Sequence, residues 1–213
     1  MKNSNLCHAI VIKRVNYKDQ DKIVTLYTKE LGKIAVMAKG IRKIDSKRKS
    51  HFEPGNLVKT ELIKSHKFYI SAQTELLNSF PQLKKNFDKA NALYYILEIF
   101  DGLVPEEDDN VLLFKFLEKT LSVLEIIDNT KITDIINAYN IKALRMSGFL
   151  DNPYEIIHTK TNKEFYSYLD NLINQTYDQI NIQPNEGFLG GEMFKLLKTY
   201  TETILEKRIK SAI

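Results

Sequence analysis

A basic run is the feature of this sequence with the clearest chemistry. Residues 39–50 read KGIRKIDSKRKS, in which Asp45 is the one acidic residue. Clustered Lys and Arg bind the phosphates of nucleic acids strongly, because neutralising the phosphates releases condensed counterions. The run therefore predicts a nucleic-acid-binding loop, with a merely solvated loop as the competing interpretation. Its cations are Lys39, Arg42, Lys43, Lys47, Arg48 and Lys49.

Further cations and aromatic rings accompany this run in the first 75 residues. Proteins that bind single strands combine a positive groove with aromatic rings on which bases stack. Lys13, Arg14 and Lys33 are the additional cations predicted to contact nucleic acid. Most aromatic side chains of a small domain belong to its core, so we expect one or two exposed stacking platforms, Tyr27 and Tyr69 first.

The charge of the chain is divided unevenly. Residues 1–75 hold 16 Lys and Arg against 7 Asp and Glu, whereas residues 76–213 hold 15 against 20. Such asymmetry indicates a nucleic-acid-binding or membrane-surface module joined to a second part. The apolar run from Ala9 to Ile12 is too short for a signal peptide or a membrane span, so a cytoplasmic protein is expected.

Five short runs with β-strand character come first, over residues 8–15, 22–28, 33–39, 57–64 and 67–74. They predict a small antiparallel barrel; an OB-fold is favoured, and a five-stranded SH3-like barrel fits nearly as well. After Pro81 the apolar residues recur at three- and four-residue spacing, as in amphipathic helices. The sequence therefore predicts an α+β protein, with a barrel over residues 1–78 and an all-α domain over residues 79–213.

Local signals predict where the helices begin and end. We expect one helix from Pro81 to about Pro105 and a second capped by Asp108 or Asp109. A third is expected to follow Asn129-Thr130 and end at Gly148. The pair Thr161 and Glu164 predicts a capping box for a fourth, to about Tyr177. Residues 184–191 are predicted to be a loop before a last helix that starts near residue 192.

Catalysis and metal binding are not expected. The sequence has no phosphate-binding loop, no Gly-x-Ser-x-Gly motif and no His-Glu-x-x-His motif. One cysteine and four histidines, scattered between residues 7 and 158, do not offer the ligand spacing of a structural zinc site. The acidic residues 106–109 are interpreted as a helix cap. We therefore predict a protein that is not an enzyme and has no cofactor.

Five stretches carry a resemblance to a known family. They are AIVIKRVNYKDQDKIVTLYTKELGKIAVMAKGIRK from Ala9, FEPGNLVKTELIK from Phe52, AQTELLNSF from Ala72, NALYYILEIFDGLVPEEDDNVLLFKFLEKTLSVLE from Asn91 and ILEKRIKSAI from Ile204. In these stretches the sequence resembles RecO, the bacterial recombination mediator. The resemblance implies an OB-fold and a helical domain, binding to single- and double-stranded DNA, and annealing of complementary strands. It also implies partnership with RecR, contact with the tail of single-strand-binding protein, and help in loading RecA.

Carried over residue by residue, the resemblance assigns DNA binding to the cations of residues 39–49 already named, which would hold phosphates without reading bases. The sequence departs from the family at two places. Many relatives hold a four-cysteine zinc module where residues 149–178 here contain no cysteine. That region would need its own packing, expected around Phe165, Tyr168, Leu169 and Leu172.

The second departure concerns the tail of single-strand-binding protein. Some relatives place a basic residue just before an aromatic residue of the third helix, where this chain has Asn137-Ala138 before Tyr139. Lys142 and Arg145 are candidate substitutes, so the predicted partner-binding residues are Tyr139, Lys142 and Arg145. Two other functions stay open. A basic barrel could bind an acidic protein partner as an adaptor, or bind RNA, because phosphate contacts look alike in DNA and RNA.

Overall fold

Five strands form a closed barrel at the N-terminal end of the chain in a computed structural model, which describes residues 4–46, 48–65, 68–157, 163–180 and 187–211. The strands are β1 (Ser4–Tyr17), β2 (Asp21–Thr28), β3 (Gly32–Ala38), β4 (Leu57–Lys64) and β5 (Tyr69–Asn78). They pair around the barrel in the order β1-β2-β3-β5-β4. All pairs are antiparallel except β3 and β5, which run parallel where Val36 faces Tyr69. The predicted OB-fold is confirmed.

Alternate side chains of these strands fill the barrel, as a two-residue period requires. Val24, Leu26, Val36 and Val58 are fully buried within one core cluster. Two residues of the long β3–β4 connection join the same core, Ile41 and Phe52. The basic loop, defined as residues 39–50, therefore starts and ends beside side chains that are anchored in the barrel.

The chain divides into two compact units, and the first contains more than the barrel. The barrel unit comprises Met1–Pro81 with Val104–Leu121, and the helical unit comprises Gln82–Leu103 with Ser122–Ile213. Within the barrel unit, the Glu107 N–H donates to the Lys33 carbonyl at 3.0 Å. A Cβ on Gly32, whose φ is +66°, would lie 2.3 Å from the backbone oxygen of Asp108. Only glycine therefore lets the chain at residues 106–110 pack this closely on the start of β3.

The same segment leads into α3 (Val111–Ile126). Asn110 Oδ1 accepts hydrogen bonds from the backbone N–H groups of Leu112, at 2.9 Å, and Leu113, at 3.3 Å. Asn110 is therefore the N-cap, and the expectation that Asp108 or Asp109 caps this helix is wrong. The two aspartates precede the cap because the backbone of residues 106–108 is held against β3.

The other α-helices of the described residues are α1 (Pro81–Lys85), α2 (Phe87–Leu103), α4 (Ile132–Met146), α5 (Lys163–Asn174) and α6 (Gly187–Leu205). The predicted helix after Pro81 is present with a break at Asn86, and the helix after Asn129-Thr130 ends before Gly148, whose φ is +75°. Thr161 of the expected capping box lies outside the described residues.

The loop expected over residues 184–191 is wrong from residue 187 onward, because α6 already begins there. One of its glycines, Gly190, serves packing. A Cβ on Gly190 would lie 3.2 Å from both Asp134 Oδ1 and the Tyr168 hydroxyl. A small residue is needed at that point of the helix. From the sequence alone, the two consecutive glycines Gly190 and Gly191 were interpreted as part of a loop.

The cysteine-free region folds around the residues expected for it. Phe165, Tyr168, Leu169 and Leu172 are the buried residues of α5. The Tyr168 hydroxyl donates to Asp134 Oδ1 at 2.7 Å. Asn137 Nδ2 donates to that hydroxyl at 3.1 Å and to the Gly190 carbonyl at 2.9 Å. This buried network joins α4, α5 and α6.

Candidate nucleic-acid interface

The basic loop is built from successive tight turns. The N–H of Lys43 donates to the Gly40 carbonyl at 3.2 Å, and that of Ser46 donates to the Lys43 carbonyl at 3.1 Å. The next turn is closed by Lys49 and Ser46 at 3.3 Å. These hydrogen bonds satisfy backbone groups within the loop itself.

Three hydrogen bonds fix the start of the loop on the turn between β1 and β2 and on the first residue of β2. The Gly40 N–H donates to Asp21 Oδ1 at 2.8 Å. Arg42 donates twice, from its backbone N–H to the Gln20 carbonyl at 3.0 Å and from its guanidinium to the Lys18 carbonyl at 3.1 Å. The loop and this turn therefore present their side chains together.

Arg48 fixes the other half of the loop. Its half-buried guanidinium donates to three backbone carbonyls, those of Ser71 at 3.3 Å, Ala72 at 2.6 Å and Lys39 at 2.9 Å. These bonds use the fork of donors that distinguishes arginine from lysine. The three hydrogen bonds indicate that Arg48 positions the loop, and its predicted contact with phosphate stays a prediction.

Six cations lie on this assembled surface, which we call the loop patch. Five are exposed and Lys22 is half-buried. The pKa of Lys22 is lowered by burial and then by the nearby cations Arg14, Arg42 and Lys49, with Glu53 acting in the opposite direction. Lys22 therefore lies close enough to Arg14, Arg42 and Lys49 to be repelled by them. The members of the loop patch are Lys18, Lys22, Lys39, Arg42, Lys43 and Lys49.

Sequence reasoning missed Lys18 and Lys22. Lys22 could have been found from the sequence. Pairing the second and third predicted strands as a hairpin places Lys22 opposite Ala38, which is next to Lys39. Lys47, which was predicted to contact nucleic acid, lies outside the described residues.

The three other cations that were predicted to contact nucleic acid differ in their exposure to solvent. Lys13 is exposed on β1. Arg14 pairs through both guanidinium nitrogens with Glu53, and one of these contacts measures 2.6 Å. Lys33 is 8% exposed. Arg14 and Lys33 are therefore held within the barrel unit, whereas the loop patch faces solvent.

Tyr27 corrects one expectation. It is fully buried, its hydroxyl donates to the Asn110 carbonyl at 3.0 Å, and its ring packs beside Phe114. The expectation that Tyr27 is an exposed stacking platform is wrong, because the segment at residues 110–114 covers it. Tyr69 is half-buried against the barrel core, with Lys64 Nζ 5.9 Å from its ring centroid. Its role in stacking stays a prediction.

Tyr69 also borders a cavity of about 300 Å³ in the barrel unit. Lys33 and Lys64 line it together with Glu106 and Glu107. Because both signs of charge line its wall, the cavity lacks the uniformly positive field that a phosphate favours. The loop patch is the better candidate for a polyanion.

The predicted partner-binding residues of α4 are not all at the surface. Tyr139 is fully buried, and its hydroxyl donates to the Ile96 carbonyl at 3.0 Å. Lys142 Nζ donates to the Gln175 carbonyl at 2.7 Å and lies 4.7 Å from the Tyr177 ring centroid, and burial lowers its pKa. The expectation that Tyr139 is available to a partner is therefore wrong, whereas the role of the half-buried Lys142 stays a prediction. Arg145 is exposed.

Within the described ranges, no three His, Cys, Asp or Glu side chains are grouped so that they could hold a metal ion. Across the same ranges, none of the helices has the length and apolar character needed to cross a membrane.

Comparison with known proteins identifies a family to which this chain is similar. Residues 1–80 match the family described as "Recombination protein O N terminal". The DNA repair protein RecO of Caldanaerobacter subterraneus subsp. tengcongensis is 23% identical over 232 residues, which cover 95% of this chain and 94% of that protein. The RecO of Thermoanaerobacter sp. is 24% identical over 221 residues, 96% of this chain and 88% of that protein. The RecO of Roseiflexus sp. is 31% identical over 147 residues, 69% of this chain and 51% of that protein.

Proposed function

The chain belongs to the RecO family of DNA repair proteins, and from this premise we propose that it binds single- and double-stranded DNA through the loop patch. The observation that carries the proposal is the arrangement of six cations on a loop and turn fixed by their own hydrogen bonds. A fixed backbone lowers the entropy lost on binding, because the cations need not be brought together by the ligand.

The contacts would be to phosphates. Lysine ammonium groups are point charges that suit phosphate oxygens and carry no base specificity by themselves. The patch therefore favours binding that depends strongly on salt and weakly on sequence. Because one positive field lowers the repulsion between two phosphate backbones, the same surface would accelerate the annealing of complementary strands without ATP.

The finer role we propose is that of a non-catalytic recombination mediator in the cytoplasm, associated with the nucleoid. It would help load the RecA recombinase together with RecR. Arg145, exposed on α4, is the remaining candidate for contact with the acidic tail of single-strand-binding protein. These partners follow from the family.

Salt-dependent binding tests the central claim. Fluorescence anisotropy would be measured with single-stranded DNA, duplex DNA and RNA of equal length. With about six phosphate contacts, raising salt from 50 to 200 mM should weaken DNA binding by about 10³-fold. An affinity that does not change with salt contradicts the proposal. A strong preference for RNA would favour the RNA-binding alternative, and binding to an acidic protein without binding to DNA would favour the adaptor.

Annealing tests the mediator role separately. Complementary oligonucleotides labelled with a fluorescence donor and acceptor would be mixed with and without protein, in the absence of ATP. We expect faster annealing at protein concentrations that saturate the DNA. If the rate is unchanged, DNA binding can still stand, but the mediator role loses its support.

A further inference from the structure

Ile44 is a fully exposed apolar residue at the tip of the basic loop. Two large apolar residues near it behave oppositely, since Ile41 within the loop is 1% exposed and Phe52 just after the loop is 0% exposed. The hydrogen bond from the Ser46 N–H to the Lys43 carbonyl closes a turn whose two central residues are Ile44 and Asp45. Turn centres favour Pro, Asp, Asn, Ser and Gly, so the local backbone gives no reason for isoleucine here.

The tip has a different chemistry from the rest of the loop patch. Arg42 and Lys43 precede Ile44, and Lys49 follows it after the next turn; all three are exposed. Asp45 is also exposed, and its carboxylate would be repelled by phosphates. A phosphate backbone would therefore be held by the flanking cations, while the Ile44–Asp45 tip would avoid it.

Nucleobases are the part of a nucleic acid that suits such a tip. Isoleucine and other apolar side chains insert between base steps and partly unstack them, and carboxylates accept hydrogen bonds from base amino groups. The bases of a continuous duplex are stacked and paired, so inserting a side chain there costs free energy that a single strand or a gap largely avoids.

We propose that Ile44 contacts bases, so that the loop binds DNA with accessible bases in preference to continuous duplex. The inference rests on the proposed function, because it needs the flanking cations to hold DNA. It also goes beyond that function, since phosphate contacts alone do not distinguish accessible from stacked bases.

Substitution at the tip tests the inference. Ile44→Ser removes the apolar contact and no charge, whereas Ile44→Leu keeps an apolar side chain. Leu6→Ser is a matched control, because Leu6 is an exposed apolar residue of the same barrel, on β1. Binding would be measured with single-stranded, gapped and continuous duplex DNA carrying 2-aminopurine, whose fluorescence rises when the base is unstacked.

We expect Ile44→Ser to weaken binding to single-stranded and gapped DNA by about tenfold. This is the effect of losing one apolar side chain that bases would bury in the complex. The dependence on salt should not change, because no cation is removed. The rise in 2-aminopurine fluorescence should be lost in Ile44→Ser and kept in Ile44→Leu and Leu6→Ser. Thermal unfolding should be unchanged, since the residue is exposed.

Two results separate this inference from the proposed function. If the unsubstituted protein binds DNA in a salt-dependent way and Ile44→Ser matches it in affinity and fluorescence, the inference is overturned and the proposed function stands. If the unsubstituted protein does not bind DNA at low salt, both fail together. Binding to phosphatidylglycerol vesicles that is lost in Ile44→Ser, with DNA binding unaffected, would also overturn the inference.

Discussion

Two lysines of the helical unit differ in their use from the cations of the loop patch in the barrel unit. In the helical unit, Lys89 Nζ donates to the Glu125 carbonyl at 2.8 Å near the end of α3. Lys142 Nζ donates to the Gln175 carbonyl just after α5 ends. Both lysines satisfy carbonyls at helix C-termini, where a positive charge is also favoured by the helix dipole. In the barrel unit, the cations of the loop patch project into solvent.

The comparison indicates that the hydrogen-bond partner of a cationic side chain decides whether it stabilises the fold or is exposed for binding. Whether the residue is Lys or Arg, and whether it lies in a charged run, matters less. Within the basic loop itself, Arg48 behaves like the lysines of the helical unit because its donors are used by backbone carbonyls. The same unit also contains the acidic segment at residues 106–109, so its charge is not uniformly positive.

Removing charge from the loop patch should give the largest effect. In the triple variant Arg42→Ala, Lys43→Ala and Lys49→Ala, we expect DNA affinity at 50 mM salt to fall by about 10³-fold, because three phosphate contacts are lost. The slope of log affinity against log salt should decrease by about three. Anisotropy titrations across a salt series would measure both quantities.

The matched control removes three exposed cations from the helical unit, with Lys195→Ala, Lys207→Ala and Arg208→Ala. It should change neither the affinity nor the slope appreciably. Equal losses in the two triple variants would mean that net charge alone governs binding, and the distinction between the two units would fail.

Gly32→Ala should give the largest loss of stability. The substitution combines a left-handed backbone conformation with a Cβ that would overlap the backbone of Asp108. We expect it to lower the free energy of unfolding by about 3 kcal/mol, measured by urea denaturation. Gly148 in the helical unit has a φ of +75° and nothing within 4 Å of its added Cβ, so Gly148→Ala should cost only about 1 kcal/mol. Equal losses would argue against the packing of residues 106–110 on β3.

Tyr168→Phe tests the buried network of the helical unit. The lost hydroxyl leaves the Asp134 carboxylate and the Asn137 amide each without one partner at a buried site. We expect the free energy of unfolding to fall by about 2 kcal/mol, with DNA affinity unchanged. Tyr166→Phe, on the exposed side of the same helix, is the control and should have little effect. A loss of DNA affinity in Tyr168→Phe would mean that the two units are not independent.

Elements with strong periodicity were predictable from the sequence. The five strands and the helices α2 and α4 lie close to their expected ranges because alternation and three- or four-residue spacing are local signals. The packing of α5 around Phe165 and Leu169 was predictable for the same reason. The start of α6 was not predictable. Gly190 packs against Tyr168, but a glycine in a sequence usually indicates the end of a helix or a loop.

The candidate site was predictable in its location and less so in its members. A run of cations identifies the loop, but it does not show which side chains are used internally. Tyr27 is covered by a segment 83 residues away, and Arg48 donates to carbonyls 23 and 24 residues away. Such contacts depend on the closed barrel and leave no local signal in the sequence.

Arg48→Lys should give the smallest effect and is the sharpest test of the positioning role. Lysine keeps the positive charge but cannot donate in a fork to the carbonyls of Ser71, Ala72 and Lys39. If Arg48 positions the loop, the affinity for DNA should fall by about fivefold, because a loosened loop loses part of its preorganisation. The salt dependence should stay the same, since the number of cations is unchanged.

Amide hydrogen exchange at Lys43 and Ser46 should become faster in Arg48→Lys, because both N–H groups close turns within the loop. Lys49→Arg is the matched charge-preserving change at an exposed position and should alter neither quantity. Unchanged affinity and exchange in Arg48→Lys would contradict the positioning role of Arg48.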